Sequence, residues 1–166
     1  MVTGIDSNYI KELLHQVLDP EVPALSIVDL GILREVKELD GAFEIYITPT
    51  FTGCPAMKVI EEDIIELLNN EGITNFKVKT IISPAWTTDW MSEDGKRKLK
   101  EYGIAPPSQS TEEHLKALIT GKKKSVVCPF CNSENTKLTS AFGSTACKAL
   151  HYCNECRQPF EEFKCH

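Results

Sequence analysis

The sequence predicts a small α+β sandwich over residues 1–102, then a linker over 103–124 and a separate cysteine-rich module over 125–166. Three observations predict this. Apolar residues switch between helical and strand spacing through the first part of the chain. A Pro/Ser stretch, Gly103-Ile-Ala-Pro-Pro-Ser-Gln-Ser-Thr111, suits neither helix nor sheet interior. Six of the seven cysteines lie from Cys128 onward.

Ile10, Leu13, Leu14, Val17 and Leu18 recur at i, i+3, i+4, i+7 and i+8, which predicts a helix ended by Asp19-Pro20. Residues 32–39 and 42–48 read as strands joined across Asp40-Gly41, a strong hairpin signal. In the second strand Phe43, Ile45 and Ile47 share one face. Pro55 opens a helix with an apolar stripe of Met57, Ile60, Ile64, Leu67 and Leu68, and its outward face carries Glu61, Glu62 and Glu66. Gly72 ends it, and Phe76, Val78, Thr80 and Ile82 alternate as a third strand. Ser92 is placed to cap a short helix with Glu93 and Asp94 in its first turn and Lys96, Arg97, Lys98 and Lys100 toward its end. Gly95 weakens that helix by about 1 kcal/mol; Gly103 and Pro106 stop it. The order α-β-β-α-β-α is that of a compact α+β sandwich. In the linker, Leu115, Leu118 and Ile119 suggest a brief helix before Gly121-Lys-Lys-Lys124.

The 166 residues carry 18 Lys+Arg against 24 Asp+Glu, a net charge of −6, and are 42% hydrophobic, which is too apolar for a disordered acidic chain. No apolar run approaches the roughly 18 residues of a membrane helix, and Met1-Val-Thr-Gly-Ile-Asp6 is no signal peptide. The expectation is a cytoplasmic protein without a membrane partner. Structural disulfides are rare in that compartment, and an odd cysteine count points the same way. Residues 1–102 hold a charge of −8, residues 103–124 one of +2, and residues 125–166 are neutral.

Cys128-Pro-Phe-Cys131 and Cys153-Asn-Glu-Cys156 are two C-x2-C knuckles separated by twenty-one residues, slightly more than the spacing usual for zinc ribbons. A longer hairpin between them absorbs the difference. Two residues between thiolates let one turn present both sulfurs while its amides donate to them, and four thiolates suit a tetrahedral structural zinc. A module of some 40 residues buries too little apolar surface to fold alone, whereas a structural zinc contributes about 10–16 kcal/mol of apparent binding energy. Rubredoxin-like iron in the same ligands is the competing reading; a redox C-x-x-C pair fits two matched knuckles poorly. Cys147, in Gly143-Ser-Thr-Ala-Cys-Lys148, and Cys165 beside His166 remain. They are either buried small hydrophobes or a second thiol/imidazole site of Cys147, Cys165 and His166. The ribbon is neutral before Zn2+ and four thiolates add about −2, so nucleic acid is not expected as a partner.

Cys54 lies in Thr48-Pro-Thr-Phe-Thr-Gly-Cys-Pro55, between a strand and a helix. Pro55 at the first helical position would make Cys54 the cap residue, its thiol facing unsatisfied N–H groups that favour the thiolate. A cap of this kind is more often structural than reactive. Asp29, in Ile27-Val-Asp-Leu-Gly31, and Asp19-Pro-Glu21 are carboxylate candidates near it, although each taken alone reads as a turn or solvated residue. Trp86 and Trp90 most simply cover the open face of the sheet.

Asp19-Pro-Glu-Val-Pro23, Ser26-Ile-Val-Asp-Leu-Gly31, Thr48-Pro-Thr-Phe-Thr-Gly-Cys-Pro55 and Ser83-Pro-Ala-Trp-Thr-Thr-Asp-Trp90 together resemble the iron–sulfur cluster assembly family that includes SufT-type proteins. With the ribbon, Phe142-Gly-Ser-Thr-Ala-Cys-Lys148 and Phe163-Lys-Cys-His166 added, nearly the whole chain is similar to the PaaD-type family of phenylacetate-degradation proteins. The resemblance implies a sandwich of the iron–sulfur cluster assembly type followed by a C-terminal zinc ribbon. It also implies a non-catalytic accessory protein of the phenylacetyl-CoA epoxidase that matures the iron or iron–sulfur centres of its oxygenase and reductase components. In such relatives the Cys of the Gly-Cys-Pro motif is the reactive one, which carries over to Cys54. One cysteine cannot hold a cluster, so a transient iron or iron–sulfur site would also need Asp29, a second copy of the chain in a homodimer, or the client. The alternative is a structural adaptor that holds oxygenase components together through the ribbon. A thiol-dependent enzyme is not expected: none of His15, His114, His151 and His166 falls in an assembly-domain motif that would mark it as a base for Cys54.

Overall fold

The computed structural model describes residues 4–107, 116, 119–121 and 125–164. The chain divides into two compact units between Trp86 and Thr87. Among the described residues no helix is long and apolar enough to cross a membrane.

The first unit holds α1 (Ser7–Leu14), β1 (Leu33–Leu39), β2 (Ala42–Ile47), α2 (Ala56–Asn70) and β3 (Phe76–Thr80). Asp6 caps α1 by accepting the Tyr9 N–H at 2.8 Å. The helix ends at Leu14, four residues before the apolar periodicity does. Val17 is buried, but Leu18 instead forms an antiparallel bridge with Ser26, because Asp19 turns the chain: its Oδ1 accepts the Glu21 and Val22 N–H groups, both at 2.8 Å. The segment that follows buries Val22, Leu25, Ile27, Leu30 and Ile32.

β1 and β2 pair antiparallel from Leu39↔Ala42 to Leu33↔Ile47. Asp40 and Gly41 between them have φ of 51° and 76°, the two left-handed residues that a tight type I′ hairpin demands. β3 pairs parallel to β2, Phe43↔Phe76 through Ile47↔Thr80, and α2 is the crossover that parallel pairing requires. β2 is therefore central, and its Phe43, Ile45 and Ile47 are buried with Ile60, Ile64 and Leu68 of α2 and Ile10, Leu13 and Leu14 of α1. The outward face carries Lys37, Glu44, Tyr46 and Lys79, linked by hydrogen bonds from Tyr46 and Lys79 to Glu44. β3 stops at Thr80, and Ile82 is exposed. Trp86 is buried, its indole N–H donating to the Leu30 carbonyl at 2.8 Å, so it pins the buried segment before β1.

The second unit contains a 3-10 turn at Thr88–Trp90, α3 (Glu93–Glu101), β4 (Ile104–Ala105), β5 (Thr136–Ser140), β6 (Lys148–Cys153) and β7 (Pro159–Phe163). Ser92 caps α3 through its Oγ, which accepts the Gly95 N–H at 2.9 Å. Composition places the boundary after residue 102; the structure groups α3 with the ribbon. The reason lies in Ile104 and Ala105, which form a buried strand parallel to Glu161–Glu162 of β7 and draw the preceding helix with them. The sheet order is β4-β7-β6-β5. The Lys122–Lys124 cluster and the linker residues Leu115 and Leu118 lie outside the described residues, while 116 and 119–120 are helical.

Candidate metal centre and thiol site

The two knuckles are built alike. Cys128 donates its N–H to the Ser133 carbonyl at 2.9 Å, and Cys153 donates to that of Gln158 at 3.0 Å, each bond closing over the same number of residues. The residue after each second cysteine is left-handed, Asn132 at φ 60° and Arg157 at φ 59°. These turns aim backbone N–H groups at sulfur: Ser133 at Cys131, Cys156 and Glu155 at Cys153, and Gln158 at Cys156. The hairpin β5–β6 brings the knuckles together. Asn135, just before β5, receives the Asn154 N–H at its carbonyl at 2.9 Å and donates from its own side chain to Glu155 at 2.9 Å.

All four Sγ atoms lie within 4.8 Å of one another. Cys128 and Cys156 are 3.7 Å apart and Cys131 and Cys153 are 3.6 Å apart. A tetrahedral ion bound at about 2.3 Å puts neighbouring sulfurs about 3.8 Å apart, so the donor set fits a zinc-sized ion as it stands. Cys128 and Cys153 are fully buried with Ala105, Val126 and Phe160, the small core of the module. As bare thiols the four compete. Burial works against ionising Cys153, but the Cys156 and Glu155 amides and the facing thiols outweigh it and bring it down to about 7. Burial and three neighbouring sulfurs push Cys156 up to about 12. A bound dication removes that competition by accepting all four thiolates. The four cysteines form a metal site.

Cys54 is half-buried in the loop between β2 and α2. It sits at the helix start as expected: Pro55 already has helical angles, φ −68° and ψ −22°, the regular helix runs from Ala56, and the Ala56 N–H hydrogen-bonds to the Cys54 thiol. Its thiol is nevertheless not acidified. Burial raises it above its ordinary value, the Ala56 N–H and the Thr50 hydroxyl partly offset this, and the Glu21 and Asp19 carboxylates raise it further. The carboxylates that act on Cys54 thus come from the Asp19-Pro-Glu21 turn. Asp29 is buried in a reciprocal cap with Ser26: its Oδ2 accepts the Ser26 N–H at 3.2 Å and its own N–H donates to Ser26 Oγ at 3.0 Å. Thr50 is not singled out by sequence reasoning, and the threonine repeat in Thr48-Pro-Thr-Phe-Thr52 is the available signal. Thr48 Oγ1 is buried without a hydrogen-bond partner among the described residues. Cys147 is buried, its Sγ 3.0 Å from Thr145 Oγ1. Cys165 and His166, the rest of the expected second thiol site, lie outside the described residues.

Two family models match the chain: residues 8–79 match "Iron-sulfur cluster assembly protein", and residues 112–164 match "PaaD zinc beta ribbon domain". The chain is 46% identical over 154 residues to an Escherichia coli (strain K12) protein named as a putative subunit of 1,2-phenylacetyl-CoA epoxidase, covering 92% of this chain and 89% of that one. It is 33% identical over 92 residues to an "Fe-S protein maturation auxiliary factor" of Porphyromonas gingivalis, covering 54% of this chain and 87% of the relative. A crystal structure of a domain of unknown function, DUF59, from Bacillus anthracis superposes with a TM-score of 0.52 at 29% identity, over 56% of this chain and 90% of that one.

Proposed function

The chain belongs to the PaaD family, that of the Escherichia coli epoxidase relative, and on that premise we propose that it is a non-catalytic accessory protein of a phenylacetyl-CoA epoxidase. It works in the cytoplasm and matures the iron or iron–sulfur centres of the oxygenase or reductase component. The cargo is held transiently by Cys54, and the ribbon holds a structural zinc through Cys128, Cys131, Cys153 and Cys156.

The observation that carries this reading is the contrast between the two thiol sites. The ribbon offers four sulfurs within 4.8 Å, a closed donor set that retains its ion. Cys54 offers one half-buried sulfur with the Glu21 and Asp19 carboxylates and the Thr50 hydroxyl about it. A single thiol is too few donors to retain iron, and a site completed by a client favours release to that client. The similarity of residues 8–79 to iron–sulfur assembly proteins and to a maturation factor supports the same role. Asp29, occupied with Ser26, is better assigned to the fold of this loop than to the cargo.

A second reading is favoured by the ribbon itself: a structural adaptor that holds the epoxidase components together. Anaerobic purification followed by metal analysis separates the two. Zinc at one per chain with substoichiometric iron, the iron lost in Cys54→Ser, is expected of a carrier. Zinc alone, unaltered by that substitution, is expected of an adaptor.

A further inference from the structure

We infer that the outer edge of β5 and the hairpin loop after it dock an extended acidic segment of a protein partner. In the sheet order β4-β7-β6-β5, β5 is the terminal strand, and among the described residues none pairs with its outer side. An edge of this kind is a template for strand addition. Two apolar side chains stand along it, Leu138 at 50% and Phe142 at 61% exposure.

The loop that presents Phe142 is preorganised. The Ser144 N–H donates to Glu161 Oε1 at 2.7 Å, and the same carboxylate lies against Gly143, where a Cβ would have to displace it. Lys148, with its side chain 7% exposed, sits 3.7 Å from Glu161 Oε2 and 3.3 Å from Ser144 Oγ. Ser140 Oγ donates to the Phe142 carbonyl at 2.8 Å, and Lys164 Nζ lies 4.5 Å over the Phe142 ring. Such a loop loses little entropy on binding.

Charge selects the occupant. From Asn135 to Leu150 the sequence carries Lys137 and Lys148 and no Asp or Glu, in a chain whose net charge is −6. Glu161 neutralises Lys148, leaving Lys137 and Lys164, neither of which pairs with a carboxylate among the described residues. Two copies of this edge placed side by side would set lysine against lysine, and the irregularity between Leu138 and Ser140 disfavours generic pairing. An acidic strand with an apolar residue opposite Leu138 removes the charge obstacle.

The choice of probe rests on the accessory role proposed above. Hydrogen exchange of the full, zinc-loaded chain is measured alone and with separately purified oxygenase and reductase components. At least tenfold slower exchange of amides 136–142 in one complex is expected. A Leu138→Glu/Phe142→Glu variant should bind at least tenfold more weakly with its zinc retained, and Lys137→Glu should weaken binding and flatten its salt dependence. A complex that leaves 136–142 unprotected, or that binds the double variant normally, overturns the inference while the accessory role stands. Protection that grows with the chain's own concentration assigns the edge to a second copy and also overturns it. No complex with either component overturns both readings.

Discussion

The Sγ atoms of Cys128 and Cys156 stand 3.7 Å apart although 28 residues separate them in sequence. The hairpin β5–β6 and the hydrogen bonds of Asn135 with Asn154 and Glu155 bring the two knuckles together. The module's own core of Ala105, Val126, Cys128, Cys153 and Phe160 is small, and two of its members are ligands. Metal binding of about 10–16 kcal/mol therefore exceeds what such a core supplies. Chelation at neutral pH is expected to release amides 128–133 and 153–163 to fast exchange while those of α2 stay protected. Hydrogen exchange with mass spectrometry reads both regions in one sample.

Arg157 holds a left-handed backbone that a side chain resists, at φ 59°. Replacing it with glycine should stabilise the metal-loaded protein by about 1 kcal/mol. Asn132→Gly, at the equivalent place in the first knuckle, should change stability by only a few tenths, because asparagine tolerates this conformation. Chemical denaturation of the two variants side by side checks the difference.

Asp19 is a buried carboxylate whose Oδ1 accepts two backbone N–H groups at 2.8 Å. Asp19→Ala strands both donors and should cost about 3 kcal/mol, whereas Asp19→Asn keeps an acceptor and should cost about 1 kcal/mol. Urea denaturation gives both values.

The Cys54 thiol lies above its ordinary value, chiefly through burial, with Glu21 and then Asp19 adding to the rise. Its folded-state value exceeds the unfolded one. The stability contributed by the neutral thiol is therefore complete below the ordinary thiol range and lost as pH rises through the raised value. Cys54→Ser should remove that alkaline loss. Glu21→Gln should lower the thiol's value and speed alkylation of Cys54 by iodoacetamide at fixed pH, and a rate unchanged by Glu21→Gln would contradict the electrostatic coupling.

The ribbon is legible in the sequence because its chemistry is local: spacing alone brings Cys128 to Cys131 and Cys153 to Cys156, and two matched knuckles suit one four-thiolate site. The hairpin at Asp40-Gly41, the Ser92 cap and the apolar stripe of α2 are legible for the same reason. Features whose outcome depends on distant partners mislead. Val17 and Leu18 continue a helical period, yet the Asp19 turn and the Leu18↔Ser26 bridge override it. A cysteine before a helix suggests an acidified thiol, yet burial and the carboxylates of the Asp19-Pro-Glu21 turn reverse the sign. Asp29 suggests itself as the partner of Cys54 because both lie in distinctive motifs, and its hydrogen bonds to Ser26, invisible in the sequence, add a local structural task.

Delivery of iron to a client depends, in the role proposed, on Cys54. The most direct measurement is the iron content of the epoxidase oxygenase and reductase components co-expressed with the wild-type chain, with Cys54→Ser, or with neither. Cys54→Ser, folded and with its ribbon zinc intact, is predicted to leave one component as iron-poor as omission of the chain does. Full iron loading in the presence of Cys54→Ser would contradict the transfer role.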